Sequence, residues 1–338
     1  MATRVGWSRV GSKRRFRYLD AHGDEIGDDS RLERIRSLAI PPAWRDVWIA
    51  PSARAKLQAT GVDSAGRKQY LYHPAYRARQ EEAKYAKLIR FAERLPDLRA
   101  AMASDMELEG LPEERVAAIA TRLVNLGWFR VGGDRYARTS RTFGITTLHK
   151  RHVQVRGARI TFSYRAKHSI MKRSAVVDAE LASSMRELLE LPGTRLFQFV
   201  GSDTRRCNLD QRRLNAYIKG HLGEEFSAKD FRTWGGTLLA AIELARRGPS
   251  DTPTEAKRRL TAVMRTVAAE LGNTPAVARS SYVSPAVIEQ YLDGRTIADF
   301  RPRHLRVVGA RDKGLSPEEQ ATLSLLRSWR IRASRAAA

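Results

Sequence analysis

Residues 151–178, RHVQVRGARITFSYRAKHSIMKRSAVVD, interrupt a part of the chain that is otherwise patterned for helices. An alternation with a period of two predicts strands, and it occurs at 152–155, 159–164 and 174–177. Lys167 falls between the second and third of these strands. Helices are predicted around them, at 179–190, 208–221, 227–247, 252–271 and 285–292. Pro112, as a first helical residue, and Gly127, just past a last one, bracket a further helix. We therefore predict a mainly α-helical domain with one small antiparallel sheet.

The N-terminal residues are patterned for short strands instead. Alternation and short apolar runs predict strands at 14–19, 47–49, 57–62 and 68–72. Ser30 and Glu33 have the spacing of a capping box, which predicts that a helix begins there. From Pro74 onward the pattern becomes helical, and we expect Pro96 to end that helix because proline cannot donate a backbone hydrogen bond.

The change from strands to helices predicts a domain boundary near residue 80. We expect a β-rich N-terminal domain over 1–80, a mainly α catalytic domain over 81–295 and a basic C-terminal extension over 296–338. The fold class is therefore α+β. The extension is predicted to form a short helix or a mobile arm that grips phosphates, through Arg327, Arg330, Arg332 and Arg335.

The charge balance favours a polyanionic partner. The chain has 61 Lys and Arg against 37 Asp and Glu, a formal net charge of +24. Arginine greatly outnumbers lysine, and its planar fork matches two phosphate oxygens. A solvated cationic surface and a GC-rich genome are the alternatives. A net charge this large destabilises a compact chain by self-repulsion, so nucleic acid binding is the favoured interpretation.

Other features bear on the compartment. No stretch approaches the roughly 20 apolar residues that a membrane span needs, and the first residues lack the apolar core of a secretory signal. Cys207 is the only cysteine, so no internal disulfide can form. We expect a soluble, cytoplasmic and nucleoid-associated protein, without a membrane partner, in which Cys207 is an inert small side chain.

Motifs for cofactors are missing from the sequence. It contains no G-x-x-x-x-G-K-[ST] loop, and Gly132-Gly133 alone is weak support for phosphate binding. His149 and His152 stand three residues apart, but carboxylate or cysteine co-ligands are absent nearby in the sequence. We therefore expect neither a cofactor nor a metal ion.

A set of cationic and polar residues lies at the boundaries of predicted elements. Singly, each has an ordinary interpretation as a surface charge, a helix cap or a half-buried aromatic residue. The set comprises 68–72 (KQYLY), 129–132 (FRVG), Arg135-Tyr136, Lys167, 229–233 (KDFRT), 273–275 (NTP) and Ser281-Tyr282. In this order the set resembles the type IB DNA topoisomerases, particularly the compact poxvirus-like and bacterial branch, over about residues 1–295.

This resemblance implies a DNA strand transfer without ATP or metal. Tyr282 would attack the scissile phosphodiester, leaving a 3′-phosphotyrosyl bond and a free 5′-hydroxyl. Arg130 and Arg232 would hold the non-bridging oxygens. Lys167 would protonate the leaving 5′-oxygen as a general acid, and Lys229, one helical turn before Arg232, would assist it.

Asn273 departs from the common pattern of the family, in which many members have histidine at this position. Asparagine can donate a hydrogen bond to a phosphate oxygen, but it cannot carry a positive charge or shuttle a proton. Proton transfer is therefore assigned to Lys167, while Asn273 positions and stabilises the phosphate.

The resemblance also implies contacts with double-stranded DNA outside the catalytic set. These DNA-binding residues are Lys68, Gln69, Tyr70, Tyr72, Arg135 and Tyr136. Glutamine can read adenine edges and arginine guanine edges; the alternative for Tyr70 and Tyr72 is a place in the core of the sheet. The family further implies a monomer that closes round the duplex as a clamp, with 75–82 as its hinge.

Two other functions remain open at this point. Tyrosine recombinases share the fold and the chemistry, but they usually place His-x-x-Arg at the second arginine, where this chain has Lys229, and their N-terminal domain is helical. A non-catalytic, architectural DNA-binding protein would explain the net charge. It would leave the ordered set of catalytic residue types as a coincidence.

Overall fold

The computed structural model describes residues 5–12, 15–201, 204–300 and 314–336. Its contacts divide the chain into two compact units, Met1–Ala86 and Lys87–Ala338. The first unit is rich in strands and the second is mainly helical, so the predicted α+β class is confirmed. Within the described residues, no helix combines the length and the apolar character that crossing a membrane requires.

One antiparallel sheet dominates the first unit. Its strands are β1 (Trp7–Ser12), β2 (Arg15–Leu19), β3 (Arg45–Ile49), β4 (Leu57–Val62) and β5 (Lys68–Tyr72). They lie in the order β2-β1-β3-β4-β5, and helix α1 (Asp29–Ser37) packs its one buried residue, Ile35, into the core of this unit. That core consists of Trp7, Ile26, Ile35, Val47, Ile49 and Ala59.

Two features of this unit differ from the prediction. Strand β1 was not predicted, because Trp7–Ser12 contains serine and glycine and is fixed by pairing with both β2 and β3. The predicted capping box at Ser30 is wrong, since Asp28 caps α1. The Asp28 carboxylate accepts the backbone N–H of Arg31 at 2.8 Å and the hydroxyl of Ser30 at 2.6 Å.

Helix α2 (Pro74–Met106) continues through Pro96, so the predicted break there is wrong. An interior proline costs a helix about 3 kcal/mol. Burial of the apolar face on both sides of the proline offsets that cost, at roughly 1.5–3 kcal/mol for each large side chain. The buried residues that flank it include Leu88, Phe91, Leu95, Leu98 and Met102.

The second unit consists mainly of helices. They are α3 (Glu113–Gly127), α4 (Asp134–Thr139), α5 (Ala179–Glu190), α6 (Gln211–Leu222), α7 (Ala228–Arg247), α8 (Pro253–Leu271), α9 (Pro275–Ser281), α10 (Pro285–Leu292) and α11 (Pro317–Ala336). The predicted three-stranded sheet is present as β6 (Val153–Arg156), β7 (Arg159–Arg165) and β8 (Met171–Val177). A two-stranded sheet joins β9 (Gln198–Val200) to β10 (Arg206–Asn208), and this pairing delays the start of α6 to Gln211.

The ends of α3 also differ from the prediction. Pro112 is the N-cap rather than the first helical residue, and Gly127 is the last helical residue rather than the one beyond it. Trp128 takes the left-handed conformation that ends the helix, with φ of 49°. A Cβ on Gly127 would lie 2.4 Å from the ring of Phe129, so glycine is needed here for close approach.

The C-terminal part of the second unit packs against the helices that precede it. Residues 301–313 lie outside the described residues. Helix α11 packs against α7 and α10. Glu319 is buried, forms an ion pair with Arg99 at 2.8 Å and accepts the indole N–H of Trp234 at 3.2 Å. Since Trp234 lies on α7, the described end of the extension is a helix that supports α7. Two arginines of the extension form ion pairs with carboxylates of the same unit, Arg327 with Glu93 and Arg332 with Asp293.

Replacing Glu319 by alanine is expected to lower the free energy of unfolding by about 3–5 kcal/mol, because it leaves the charge of Arg99 buried and unpaired. Urea denaturation of the full chain measures the effect. Glu224→Ala is the matched control, since the side chain of Glu224 is 88% exposed in its ion pair with Lys219. Equal losses for the two variants would contradict a supporting role for Glu319.

Candidate active site

Helix α7 carries two of the predicted site residues, one helical turn apart. Asp230 fixes the start of the helix by accepting the backbone N–H of Ser227 at 2.8 Å, which completes a capping box. Arg232 points into the unit and is 5% exposed, whereas Lys229 is exposed. An arginine this deeply buried requires partners for its hydrogen-bond donors.

Two glycines let neighbouring residues approach α7 closely. A Cβ on Gly235 would lie 2.3 Å from the ring of Trp128, and one on Gly236 would lie 2.8 Å from the carbonyl oxygen of Tyr282. Glycine is unfavourable inside a helix by about 1 kcal/mol relative to alanine. Here the pair brings Trp128 and Tyr282 against the same helix that carries Arg232.

The C-terminal end of α8 binds both predicted arginines through backbone carbonyls. Arg232 donates Nη2–H to the carbonyl of Leu271 at 2.7 Å and Nη1–H to that of Trp128 at 2.6 Å. Arg130 donates Nη2–H to the carbonyl of Gly272 at 2.9 Å. The last carbonyls of a helix lack partners within the helix and carry partial negative charge, so they orient cations without neutralising them.

Two donors beside these contacts have no partner among the described residues. The Oδ1 atom of Asn273 accepts Nη2–H of Arg130 at 2.5 Å, so the Nδ2 end of its amide remains a donor. Nδ2 of Asn273 and Nε of Arg232 are both buried and unpaired within that part of the chain. Buried donors are nearly always satisfied in native proteins. An anion is an acceptor that either donor can bind.

Tyr282 follows α9, whose N-cap Thr274 accepts the backbone N–H of Val277 at 3.3 Å. The guanidinium carbon of Arg232 lies 5.1 Å from the centre of the Tyr282 ring. Burial raises the pKa of the phenol, but the charges of Arg232, Arg130 and Lys229 outweigh burial and hold the pKa of Tyr282 below its ordinary value. A lowered pKa makes the phenol a better nucleophile near neutral pH.

The backbone of Tyr282 is fixed by a residue that sequence reasoning missed. The Thr237 hydroxyl donates to the Tyr282 carbonyl at 3.1 Å and accepts the Ser284 N–H at 3.1 Å. Thr237 is fully buried on α7. A threonine inside an apolar helix face, one turn and a half after Arg232, is the only signal of this role in the sequence.

Lys167 lies at the exposed tip between β7 and β8. The tip is closed by a hydrogen bond from the Ala166 N–H to the Ile170 carbonyl at 2.8 Å, and His168 and Ser169 have positive φ angles. Lys167 lines the same pocket as Arg130 and Arg232. Lys172 on β8 also lines this pocket and was not among the predicted residues.

The predicted DNA-binding residues lie on two separate elements. Lys68, Gln69, Tyr70 and Tyr72 belong to β5 in the first unit, and Arg135 and Tyr136 belong to α4 in the second. Tyr70 is 51%, Tyr72 37% and Tyr136 63% exposed, so the alternative that Tyr70 and Tyr72 form the sheet core is wrong. Gln69 donates to the Asp63 carboxylate at 2.8 Å.

Over residues 5–300, apart from the gaps at 13–14 and 202–203, and over 314–336, no three His, Cys, Asp or Glu side chains lie close enough together to hold a metal ion. His149 and His152 contact each other and the ring of Phe143. Burial lowers the pKa of His152 to about 4, so this imidazole is neutral at physiological pH.

Comparisons with known proteins identify the family of this chain. Residues 73–298 match the family described as eukaryotic DNA topoisomerase I, catalytic core, and residues 15–63 match the bacterial DNA topoisomerase IB N-terminal domain. DNA topoisomerase 1B of Acanthamoeba polyphaga mimivirus is 32% identical over 84% of this chain and 86% of its own. DNA topoisomerase 1B of Vaccinia virus (strain Copenhagen) and DNA topoisomerase I of Monkeypox virus are each 20% identical, over 79% of this chain and 83% of theirs. The predicted resemblance is thereby confirmed, and the chain belongs to the type IB DNA topoisomerases, enzymes that relax supercoiled DNA by cutting and rejoining one strand through a 3′-phosphotyrosyl intermediate.

Proposed function

We propose that in this chain Tyr282 is the nucleophile of that reaction. Its phenol oxygen forms a bond to the scissile phosphorus, the bond to the 5′-oxygen breaks, and the 3′ end stays attached to the protein. Religation is the reverse step, in which the 5′-hydroxyl displaces the phenol. Because a phosphotyrosyl bond is close in energy to the phosphodiester it replaces, the cycle needs no ATP.

The unpaired donors of Arg232 and Asn273 carry this proposal. The Nε–H of Arg232 and the Nδ2–H of Asn273 are buried without partners in the described part of the chain, and the phenol ring lies beside the same guanidinium. A non-bridging phosphate oxygen is an acceptor for such donors. Arg130 neutralises charge on the phosphate while its own contacts fix the amide of Asn273. Preorganised donors of this kind stabilise the charge that develops in the transition state.

We assign to Lys167 the role of general acid, which donates the proton that the leaving 5′-oxygen takes up. Asn273 cannot supply it, since an amide has no titratable proton. Lys167 lines the pocket of the two arginines from an exposed hairpin tip, where a bound duplex can reach it. Lys229 is assigned an assisting electrostatic role, because its charge contributes to lowering the pKa of Tyr282.

Double-stranded DNA is the substrate of this family, and we propose that one molecule of this chain acts on it in the cytoplasm, at the nucleoid, without a membrane partner. The exposed rings of Tyr70, Tyr72 and Tyr136 offer surfaces for base contacts, and Lys68 and Arg135 offer phosphate or guanine contacts. The formal net charge of +24 supports a polyanionic substrate.

The purified protein is expected to relax both positively and negatively supercoiled plasmid in EDTA without ATP, because arginine and lysine side chains provide the charge neutralisation. Gel electrophoresis of plasmid topoisomers measures this. A Tyr282→Phe preparation controls for contaminating enzymes. A requirement for Mg²⁺ or for ATP would contradict the proposed reaction.

Tyr282→Phe is expected to bind DNA with nearly unchanged affinity and to form no covalent adduct, since only the attacking oxygen is removed. Adduct formation is measured with end-labelled duplex after denaturation in detergent. Tyr291→Phe is the control, because Tyr291 is a buried tyrosine of neighbouring helix α10 whose hydroxyl donates to the Gly248 carbonyl at 3.1 Å. An adduct on the Tyr282→Phe protein would refute the assignment.

Lys167→Ala is expected to slow cleavage on the order of 10²- to 10⁴-fold, the usual contribution of general acid catalysis. On a duplex with a 5′-bridging phosphorothiolate the rate should recover, because a sulfur leaving group needs no proton. Single-turnover cleavage measures both substrates. Lys150→Ala, which removes a lysine elsewhere in the second unit, should leave the ratio of the two rates unchanged. If the cleavage rate of Lys167→Ala does not recover on the phosphorothiolate duplex, Lys167 is not the general acid.

A further inference from the structure

Lys172 is a buried lysine that the mechanism above does not use. It lies on the inward face of β8, where it is paired in register with Tyr164 of β7. Its side chain is 18% exposed, although lysines are among the residues least often buried. Burial and the nearby charges of Arg232 and Arg130 lower its pKa, while Glu270 opposes this shift. A cation in such a position needs a structural reason.

The principal partner of Lys172 is a backbone carbonyl. Its Nζ donates to the carbonyl oxygen of Glu270 at 2.5 Å, whereas the nearest carboxylate oxygen of Glu270 is 3.6 Å away and that side chain is 52% exposed. The contact therefore joins strand β8 to the last turn of α8. The exposed ion pair adds little to it.

This contact completes a series of three. The consecutive carbonyls of Glu270, Leu271 and Gly272 accept donors from Lys172, Arg232 and Arg130, respectively. Two of these cations hold the site of the phosphate under the proposed function. The third lies on the strand that leads away from the hairpin tip, five residues after Lys167. One helix end thus aligns the arginines and anchors the hairpin.

We propose that Lys172 is a positioning residue, which fixes the β7–β8 hairpin on the carbonyl end of α8 and thereby places Lys167 at the leaving 5′-oxygen. This inference rests on the proposed function of Lys167. The tip itself has one backbone hydrogen bond across it, between Ala166 and Ile170, and two residues with positive φ. Its placement consequently depends on the strands at its base.

Loss of Lys172 should therefore affect only one step of the reaction, the protonation of the leaving 5′-oxygen. Lys172 lies on the hairpin and binds the end of α8, so its loss displaces Lys167, the proton donor. The cations beside the phenol of Tyr282, Arg232 and Arg130, stay in place. A displacement of about 1 Å at a reacting group costs on the order of 100-fold in rate. A bridging sulfur removes the need for the proton, and with it the need for correct placement of Lys167.

The test compares single-turnover cleavage of a phosphodiester duplex and of a 5′-bridging phosphorothiolate duplex by Lys172→Met. This variant keeps the apolar stem and removes the charge. We expect a loss on the order of 10- to 100-fold on the phosphodiester and a rate close to that of the unsubstituted protein on the phosphorothiolate. Lys172→Arg, which can still donate to the carbonyl, should recover most of the phosphodiester rate.

Arg173→Met is the matched control, because Arg173 is exposed on the opposite face of the same strand. It should cleave both substrates at the rates of the unsubstituted protein. Lys172→Gln is measured in parallel, so that a variant with a polar head is available if the methionine destabilises the sheet. The melting temperature of each variant is recorded.

Equal losses on the two substrates, or no loss on the phosphodiester, would overturn the role of Lys172. Either result would leave the proposed function standing, provided that the unsubstituted protein cleaves both substrates. If the unsubstituted protein forms no adduct at all, the proposed function itself is wrong, and the inference falls with it.

Discussion

The site depends on one interaction, the binding of cationic side chains by the carbonyl end of α8. Carboxylate partners would orient Arg232 and Arg130, but they would also neutralise them and compete with a phosphate. Backbone carbonyls orient the guanidinium groups and leave their charge in place. Among the described residues the hydrogen-bond acceptors of these two arginines are backbone carbonyls and the amide of Asn273, with no carboxylate, and Arg232 is 5% exposed. Uncompensated burial of a charge costs several kcal/mol, so these arginines favour the binding of an anion.

Local signals in the sequence predict much of this arrangement. Periodicity identifies β4 and β5 at 57–62 and 68–72, and α5 and α10 at 179–190 and 285–292, with the observed bounds. Gly272, which ends α8 with a φ of 62°, predicts that Asn273 stands at a helix terminus. The order of arginine, lysine, arginine, asparagine and tyrosine then identifies the family. The periodicity and the glycine signal succeed because each depends on residues that are neighbours in the chain.

The features that the sequence does not predict depend on residues far apart in the chain. Pro96 stays helical because apolar residues on both sides of it are buried, and the ring of Trp128, which has a left-handed conformation, packs over Gly235 of α7. Lys172 was outside the predicted strand 174–177, since a lysine on the inward face breaks the apolar pattern. Lys172 donates a hydrogen bond there to the carbonyl of Glu270, which is 98 residues away in the chain. Thr237 likewise acquires its role only when α7 meets Tyr282.

We propose that these cations surround the phenol that attacks DNA, and the position of the covalent link is the decisive measurement. The protein is incubated with plasmid, denatured, treated with nuclease and digested with trypsin, and the modified peptide is sequenced by mass spectrometry. Cleavage after Arg279 and Arg295 releases 280–295, which contains both Tyr282 and Tyr291, so fragment ions must locate the nucleotide. We expect a nucleotide 3′-phosphate on Tyr282. An adduct on Tyr291, or on a tyrosine in any other peptide, would contradict it.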